Sequence, residues 1–445
     1  MSKPLTIWWL RHDLRLADNP ALRWAAERGE VVPVYINDRQ RGRRPGGASL
    51  WWLQQSLRDL GGRIPLVVRH GPTDKVLADL VAETGATAVC WNRCYEPWAV
   101  EGDKDIKTTL REAVGVEAHS FAGHLLLEPW EVKNGSGTEF KVFTPFWKAC
   151  LGLLAARDMA PCPAPEVAWR EGIKSDDVRF YPSRNEPDWA AGWEKRWPVG
   201  EAGAMAVLQE FVTNRMAHYA EGRDLPAKAF TSKLSPHLHF GEISPRQVWA
   251  VAQAHGGPGC AKFLSEVGWR EFCHHLLYHY PTMLEQNWKG AFDAYPWREL
   301  EGKAAADLKA WTQGKTGYPL VDAGMRELWH TGWMHNRVRM VTASFLIKHL
   351  QIHWKEGERW FWDTLVDADA ANNACGWQWV AGCGADAAPY FRIFNPATQA
   401  EKFDAQAEYI KTWVPEYGTA AYPKPIVNHE AARAAALAGY EVVKG

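Results

Sequence analysis

The segment Thr6-Ile-Trp-Trp-Leu10-Arg-His-Asp-Leu-Arg15-Leu-Ala-Asp-Asn19-Pro20 reads as a strand, a polar turn and a helix start in immediate succession. Thr6 to Leu10 is a short apolar run of strand length. Asp18 and Asn19 offer side chains that cap free helical N–H groups, and Pro20 suits a first helical turn. The pattern recurs downstream. Val31–Ile36 is a second strand, Ile64–Val68 a third with Thr73 as the cap of the next helix, Thr87–Trp91 a fourth and Val116–Phe121 a fifth. Strands alternating with helices imply a parallel, doubly wound sheet, an α/β N-terminal domain over residues 1–130.

The pattern changes over residues 131–200. Asn134-Gly-Ser-Gly137 is a flexible turn, and Pro161-Cys-Pro-Ala-Pro165 excludes both a helix and a central strand. The region reads as a connector wrapped against both domains. Over residues 201–445 the periodicity is helical, as in Ala202–Ala220, Ala261–Tyr280, Val321–Trp329 and Asn336–Leu350, which makes the C-terminal domain all-α.

A chain of 445 residues suffices for two or three domains. A net charge of −1 excludes wholesale coating of nucleic acid but leaves room for a local basic groove. Tryptophan is unusually abundant, 26 against 16 Phe and 13 Tyr, and many of these indoles stand beside Arg, Asn or Gln, which suits stacking surfaces better than a core. The eight cysteines form no C-x-x-C pair and read as reduced thiols of a cytosolic protein. The N-terminus lacks a signal-peptide pattern and no apolar run reaches membrane-spanning length.

Common nucleotide and metal motifs fail. No G-x-G-x-x-G follows the first strand. Gly314-Lys-Thr316 lacks the upstream glycine of a P-loop, since Lys309 stands there. His275 and His279 have helical spacing without H-E-x-x-H, so a structural role is expected and no metal. Three other segments are richer. Thr231-Ser-Lys-Leu-Ser235-Pro places hydroxyls before a helix start, where phosphate binds well, although an ordinary N-cap turn reads the same way. Glu266, Trp269 and Arg270 share one helix face. Gly332–Met340 and Asp367–Trp379 combine Trp, Arg, Asp, Asn and Met at helical spacings, with Arg339 a natural partner for Asp367 or Asp369 and Asn373 an amide for one ring atom. Such a cluster suits a flat aromatic ligand with anionic and amide edges.

At these residues the sequence resembles the photolyase/cryptochrome family. The strings carrying the resemblance include Gly317-Tyr-Pro-Leu-Val-Asp-Ala-Gly-Met325, Gly332–Arg337 and Ala387-Ala-Pro-Tyr-Phe-Arg-Ile-Phe-Asn-Pro396, while Trp91–Pro97 and Trp379–Gly384 suggest the subgroup nearest plant cryptochromes, called class III. The resemblance implies an antenna pigment in the α/β domain and FAD in the helical domain. It puts flavin contacts on Tyr219, Thr231, Ser232, Leu234, Ser235, Phe263, Arg270, Asn336, Arg339, Asp367, Asp369 and Asn373, with Asn373 at flavin N5. It puts Glu266, Trp269, Met340 and Trp379 at the lesion, and Arg223, Asn336, Arg337 and Gln399 at DNA. It implies light-driven splitting of cyclobutane pyrimidine dimers in UV-damaged DNA by an electron from reduced FAD, with Glu266, Asn373 and Met340 closest to the chemistry. It also implies a tryptophan chain of Trp377, Trp354 and Trp297 that reduces the flavin from the surface. Trp360 and Trp362 offer a second branch, against which stands plain core packing.

The antenna stays open between methenyltetrahydrofolate, which the subgroup implies, and an 8-hydroxy-deazaflavin; Glu101 and the loop Arg39–Arg44 are the candidate contacts. The protein is expected to act as a monomer in a bacterial cytoplasm. A signalling cryptochrome is the first rival, disfavoured by Asn373 where plant cryptochromes carry Asp and by the lack of a long tail after Gly445. A (6-4) photolyase is the second, disfavoured by Met340 where those enzymes carry His. A Trp-rich binding protein without flavin is the third.

Overall fold

The computed structural model describes residues 3–180, 189–387 and 391–444. Residues 388–390, within the family string that begins at Ala387, lie outside the described set. β1 (Leu5–Leu10) is buried at each of its positions, and so its sequence is a continuous apolar run and not an alternating one. The Oδ1 of Asn19 accepts the N–H of Leu22 at 3.1 Å and so starts α1 (Pro20–Arg28), a cap contributing about 1 kcal/mol. Then follow β2 (Glu30–Asn37), α2 (Gly47–Gly61), β3 (Val67–His70), α3 (Thr73–Thr84), β4 (Ala88–Asn92), α4 (Pro97–Thr108) and β5 (Glu117–Phe121). The strands are parallel in the order β3-β2-β1-β4-β5. The order reverses between β1 and β4, where ligand crevices of such sheets open beyond the strand carboxyl ends.

Two local expectations are corrected here. The third strand starts at Val67, not Ile64, because Pro65 has no N–H to give a ladder. Thr73 does not cap its helix. It is the first residue of α3, and its N–H and hydroxyl both donate to Asp38 Oδ2 at 2.9 Å, so Asp38 does the capping from beyond β2.

The connector is more ordered than its turn residues suggest. It contains a 13-residue helix, α5 (Phe143–Ala155), whose Phe146 and Trp147 are buried in the helical core. It also supplies β6 (Ala168–Trp169), which pairs in parallel with Glu30 and Val31 of β2. Pro161–Pro165 is irregular, as expected. His275 and His279 both meet the Pro129 carbonyl, at 3.1 and 3.2 Å, and His275 Nε2 accepts the Phe140 N–H of the connector at 3.2 Å, a structural role.

The remainder is helical: α6 (Glu201–Asn214), α7 (Tyr219–Gly222), α8 (Ser235–His239), α9 (Pro245–His255), α10 (Cys260–His279), α11 (Gly302–Thr312), α12 (Pro319–Thr331), α13 (Asn336–Ser344), α14 (Trp354–Thr364), α15 (Ala370–Ala381), α16 (Pro396–Phe403), α17 (Glu408–Trp413) and α18 (His429–Lys444). Among the described residues no helix is long and apolar enough to cross a membrane. The cysteines are free thiols, most of them buried.

The expectation that the indoles mainly form stacking surfaces is only partly right. Trp8, Trp52, Trp91, Trp193, Trp311 and Trp354 are among the largest fully buried side chains, so tryptophan builds both cores. The polar loop after β1 is also not a surface loop. Arg15 is 1% exposed and donates to the carbonyls of Asp18, Gly123 and Gly241, the last at 3.0 Å from the helical half. Gly241 has φ +67°, and a Cβ there would lie 2.0 Å from the His12 carbonyl oxygen, so only glycine permits this close approach between the halves.

Candidate functional site

Between α7, α8, α10, α13 and α15 lies a cavity of about 600 Å³, the size of sites that hold a large cofactor. The cavity gathers nearly all the residues singled out in the sequence. Its wall includes Tyr219, Arg223, Thr231, Ser232, Leu234, Ser235, Phe263, Glu266, Trp269 and Arg270 from the first half. From the second come Asn336, Arg337, Arg339, Met340, Asp367, Asp369, Asn373, Trp377 and Trp379. Gln399, Trp354, Trp297 and Glu101 are not in the wall. Gln399 is half-buried on α16, whose Phe403 lies under Arg337 at 4.5 Å. Glu101 is exposed on α4, and the neighbouring Gly102 is packed against Arg41, so the two antenna candidates share one surface.

Asp367 is the centre of one wall. Its Oδ2 accepts from Arg339 Nη2 at 2.9 Å and from the Ser235 hydroxyl at 2.6 Å, while its buried Oδ1 has no partner. The expected pairing with Arg339 therefore falls on Asp367 and not on Asp369. Asp369 caps α15 by accepting from Asn372 N–H at 2.7 Å, and its other oxygen lies 3.4 Å from His274 and 3.7 Å from His239. Burial pushes the Asp369 carboxyl up, but His274 and His239 outweigh it and hold the group well below the usual carboxylate range. Burial likewise pulls His274 down, and the facing Asp369 carboxylate reverses the sign to a net rise.

The segment Thr231–Ser235, the candidate phosphate site, runs along the cavity wall. The helix after it, α8, has five residues, too few for a substantial dipole, and the Ser235 hydroxyl is already committed to Asp367. The cation of this corner is Lys233, held at φ +56° over the Trp333 ring at 4.9 Å and within the cavity wall. In the sequence the one local signal of Lys233 is its place between two hydroxyl residues and a helix start.

Asn373 is 9% exposed. Its Nδ2 donates to the Glu358 carbonyl at 3.1 Å and to Glu358 Oε1 at 2.8 Å. Both partners can only accept, which fixes the amide's orientation and leaves Oδ1 for the cavity. Arg270 turns toward the domain junction, donating to the His124 carbonyl at 2.9 Å and meeting His124 Nε2 at 2.8 Å. Beside it Glu271 accepts the N–H groups of Leu126 and Leu127, yet burial pushes its carboxyl up to about 7.

The opening of the cavity carries half-buried indoles and paired charges. Phe143 of the connector stacks on Trp269 at 3.8 Å with planes 9° apart. Trp379 is half-buried, with Arg392 at 5.3 Å. Arg223 pairs with Glu266, which also meets Lys262 at 3.0 Å, and Arg337 pairs with Asp224 at 2.9 Å. The wall nevertheless carries more cations than anions, with Arg223, Lys233, Lys262, Arg270, Arg337 and Arg339 against Glu266, Asp367 and Asp369, a local basic lining within a chain of net charge −1.

Behind Asn373, Trp377 leans on Gly357 of α14 so closely that a Cβ there would lie 2.0 Å from its ring. One turn away, fully buried Trp354 donates to Asn287 Oδ1 at 2.8 Å. The His353 ring lies 5.5 Å from Trp354 and 4.9 Å from half-buried Trp297. His353 was missed in the sequence, although it precedes Trp354 directly. Trp360 stacks on exposed Trp329 at 5.9 Å, and Trp362 lies under Arg43 at 4.0 Å; both are half-buried and pack against the helical core. The reading of no metal motif concerned sequence spacing; in space, His12, Cys94 and Glu96 bring ligand atoms within 4.8 Å of one another.

Residues 6–166 match the family model described as DNA photolyase, and residues 263–421 match that described as the FAD binding domain of DNA photolyase. The chain is 46% identical to a deoxyribodipyrimidine photo-lyase of Agrobacterium fabrum over 98% of both chains. It is 38% identical to cryptochrome-2 of Arabidopsis thaliana over 95% of this chain and 72% of that one. Its fold matches the crystal structure of a bacterial class III photolyase from Agrobacterium tumefaciens with a TM-score of 0.93, at 45% identity over 100% of this chain and 98% of that one.

Proposed function

The chain belongs to the DNA photolyase/cryptochrome family, and from that premise we propose that it repairs UV-damaged DNA in light by splitting cyclobutane pyrimidine dimers. One observation carries the reading: a single cavity has an amide acceptor and an Arg–Asp pair in its wall and indoles at its opening. When bound, reduced FAD would supply the light-driven electron chemistry that opens the cyclobutane ring, with the electron returned at the end.

The donor set fits a flavin. Asn373 Oδ1 faces the cavity as an acceptor, Arg339 supplies a fixed positive charge, and the orphaned Asp367 Oδ1 awaits a donor. Thr231, Ser232, Leu234 and Lys233 would hold the pyrophosphate, Ser235 would support them through its bond to Asp367, and Tyr219, Phe263, Arg270, Asn336 and Asp369 would complete the wall. Trp377, Trp354 and Trp297 would carry electrons inward from the surface, with His353 packed between the last two rings.

A dimer must leave the helix to enter this cavity, which costs only a few kcal/mol for a poorly stacked lesion. Trp269 and Trp379 would wall the extruded bases, Met340 would contact them and Glu266 would hydrogen-bond a base edge. Arg223 and Arg337 are paired with Glu266 and Asp224 in the free chain. Phosphates would have to take over those guanidinium groups, and Asn336 and Gln399 would add polar contacts. Asn373 in place of Asp favours repair over signalling, and Met340 in place of His favours the cyclobutane dimer over the (6-4) lesion.

For the antenna we take methenyltetrahydrofolate, with an 8-hydroxy-deazaflavin as the alternative, bound near the Arg39–Arg44 loop and Glu101; the absorbance spectrum of the purified protein separates them. Residues 1–130, 131–200 and 201–445 are the working domain units, and the enzyme acts as a monomer in the bacterial cytoplasm. Blue light should remove dimers from single- and double-stranded DNA in the presence of the reduced protein. Unchanged dimer counts with FAD bound and reduced would refute the reading.

A further inference from the structure

Glu358 of α14 is gripped from both halves of the molecule. Arg43 donates through Nη1 to Oε1 at 2.6 Å and through Nη2 to Oε2 at 2.9 Å. On the other side, Oε1 accepts Nδ2 of Asn373 at 2.8 Å. Arg43 comes from the loop before α2, 315 residues away in sequence. That loop and the first turn of α2 are bolted to α14 and to Leu365 just after it. Trp362 Nε1 donates to the Arg44 carbonyl at 2.8 Å, Gly47 N–H donates to Asp363 Oδ1 at 2.9 Å, and the Ser49 hydroxyl donates to the Leu365 carbonyl at 3.2 Å. The Arg43 guanidinium also lies over the Trp362 ring at 4.0 Å. A two-point fork of this kind fixes the plane of a carboxylate, whose terminal torsion is otherwise broad and two-fold.

We propose that Arg43 is a positioning residue that acts from the α/β domain on the flavin edge: by fixing the Glu358 carboxylate, it keeps both Asn373 N–H groups turned away from the cavity and only Oδ1 turned toward it. The proposal rests on the flavin reading given above. An acceptor at this place favours a flavin edge that carries a proton, which is the reduced form. Without the fork the Glu358 carboxylate can rotate, and the Asn373 amide keeps the Glu358 backbone carbonyl at 3.1 Å as its one fixed acceptor, so it turns over more readily. Its NH₂ would then face the cavity and favour the oxidised form. The sheet domain would thus set the redox poise of a cofactor that it does not touch.

The test is a redox titration of the bound flavin in the parent and in Arg43→Gln, Arg43→Lys and Arg58→Gln, with flavin content measured in each. Arg58 is an exposed control on α2. Arg43→Gln should keep its flavin and lose about tenfold in preference for the reduced form, roughly a 30 mV fall in a two-electron midpoint potential. Arg43→Lys should recover part of the shift, because it keeps the charge without the fork, and Arg58→Gln should match the parent. In a Glu358→Gln background, Arg43→Gln should add little. Full additivity there would overturn the proposal, as would an unshifted potential in a flavin-loaded Arg43→Gln. Should Arg43→Gln lose flavin, Arg43→Lys carries the test, and an unshifted Arg43→Lys then counts against it. A parent protein without flavin would overturn both this proposal and the flavin reading, whereas a flavin-loaded parent with unshifted variants would overturn this proposal alone.

Discussion

Asn373→Asp puts a second carboxyl against Glu358 in the place of an N–H donor. The new oxygen would lie where Nδ2 now is, 2.8 Å from Glu358 Oε1. Two full charges at that distance repel by about 6 kcal/mol at an effective dielectric of about 20. That repulsion is enough to lift a carboxyl's pKa by about 4, to roughly 8. Arg43 already grips the Glu358 carboxylate, so the proton goes to the introduced group. Protonated, the group donates its O–H to Glu358 and shows the cavity a carbonyl acceptor, much as the asparagine does. Repair by the pre-reduced variant should therefore stay within about threefold of the parent at pH 7 and fall as the pH passes through roughly 8. Stability follows the same sign. A carboxyl whose folded pKa is raised destabilises the fold progressively between its unfolded and folded values, so the denaturation midpoint of the variant should drop between about pH 4 and pH 8. Infrared difference spectra against the parent should show one extra protonated carboxyl band at pH 7 that disappears by about pH 10. A variant with no protonated carboxyl at pH 7 would refute the claim that the Asn373 amide is committed as a donor to Glu358.

Three further outcomes are expected. Trp377→Phe should slow photoreduction at least tenfold while leaving repair by pre-reduced enzyme nearly intact; equal photoreduction rates would remove Trp377 from the electron path. Phe143→Ala removes the ring stacked on Trp269 at 3.8 Å, and should weaken binding of dimer-containing DNA by about 1 kcal/mol with little change for undamaged DNA in a filter or fluorescence assay. Burial raises the Glu271 carboxyl to about 7 from its ordinary 4.5, so its unfolded form releases a proton first and stability falls as pH rises through that window. Glu271→Gln, which can still accept from Leu126 and Leu127, should flatten the fall seen in urea titrations between pH 4.5 and pH 7.

The sheet was legible because its strands are buried on both faces, so that β1 announces itself as an unbroken apolar run. Pro65 hid the start of β3, since a proline inside an apolar run looks like part of the strand until its missing N–H is counted. The helix Phe143–Ala155 was overlooked because it follows the glycine turn at 134–137 and precedes the prolines at 161–165, while its apolar residues run almost around the helix. The cavity wall was legible for a different reason: Arg, Asp, Asn and Trp at helical spacing have no business in an ordinary core. What stayed hidden were partners distant in sequence. Asp369 meets His274 and His239, and Glu358 meets Arg43, through packing between elements that no local pattern announces.

The central claim is that one cavity serves both a light-activated flavin and an extruded dimer. The most direct test mixes the anaerobic, reduced protein with a short oligonucleotide holding one thymine dimer and follows the return of thymine absorbance. Flashes of blue light should restore thymine in step with absorbed light, and the dark sample should stay unchanged. Flavin bound, reduced and illuminated, with the dimer still intact, would contradict the account.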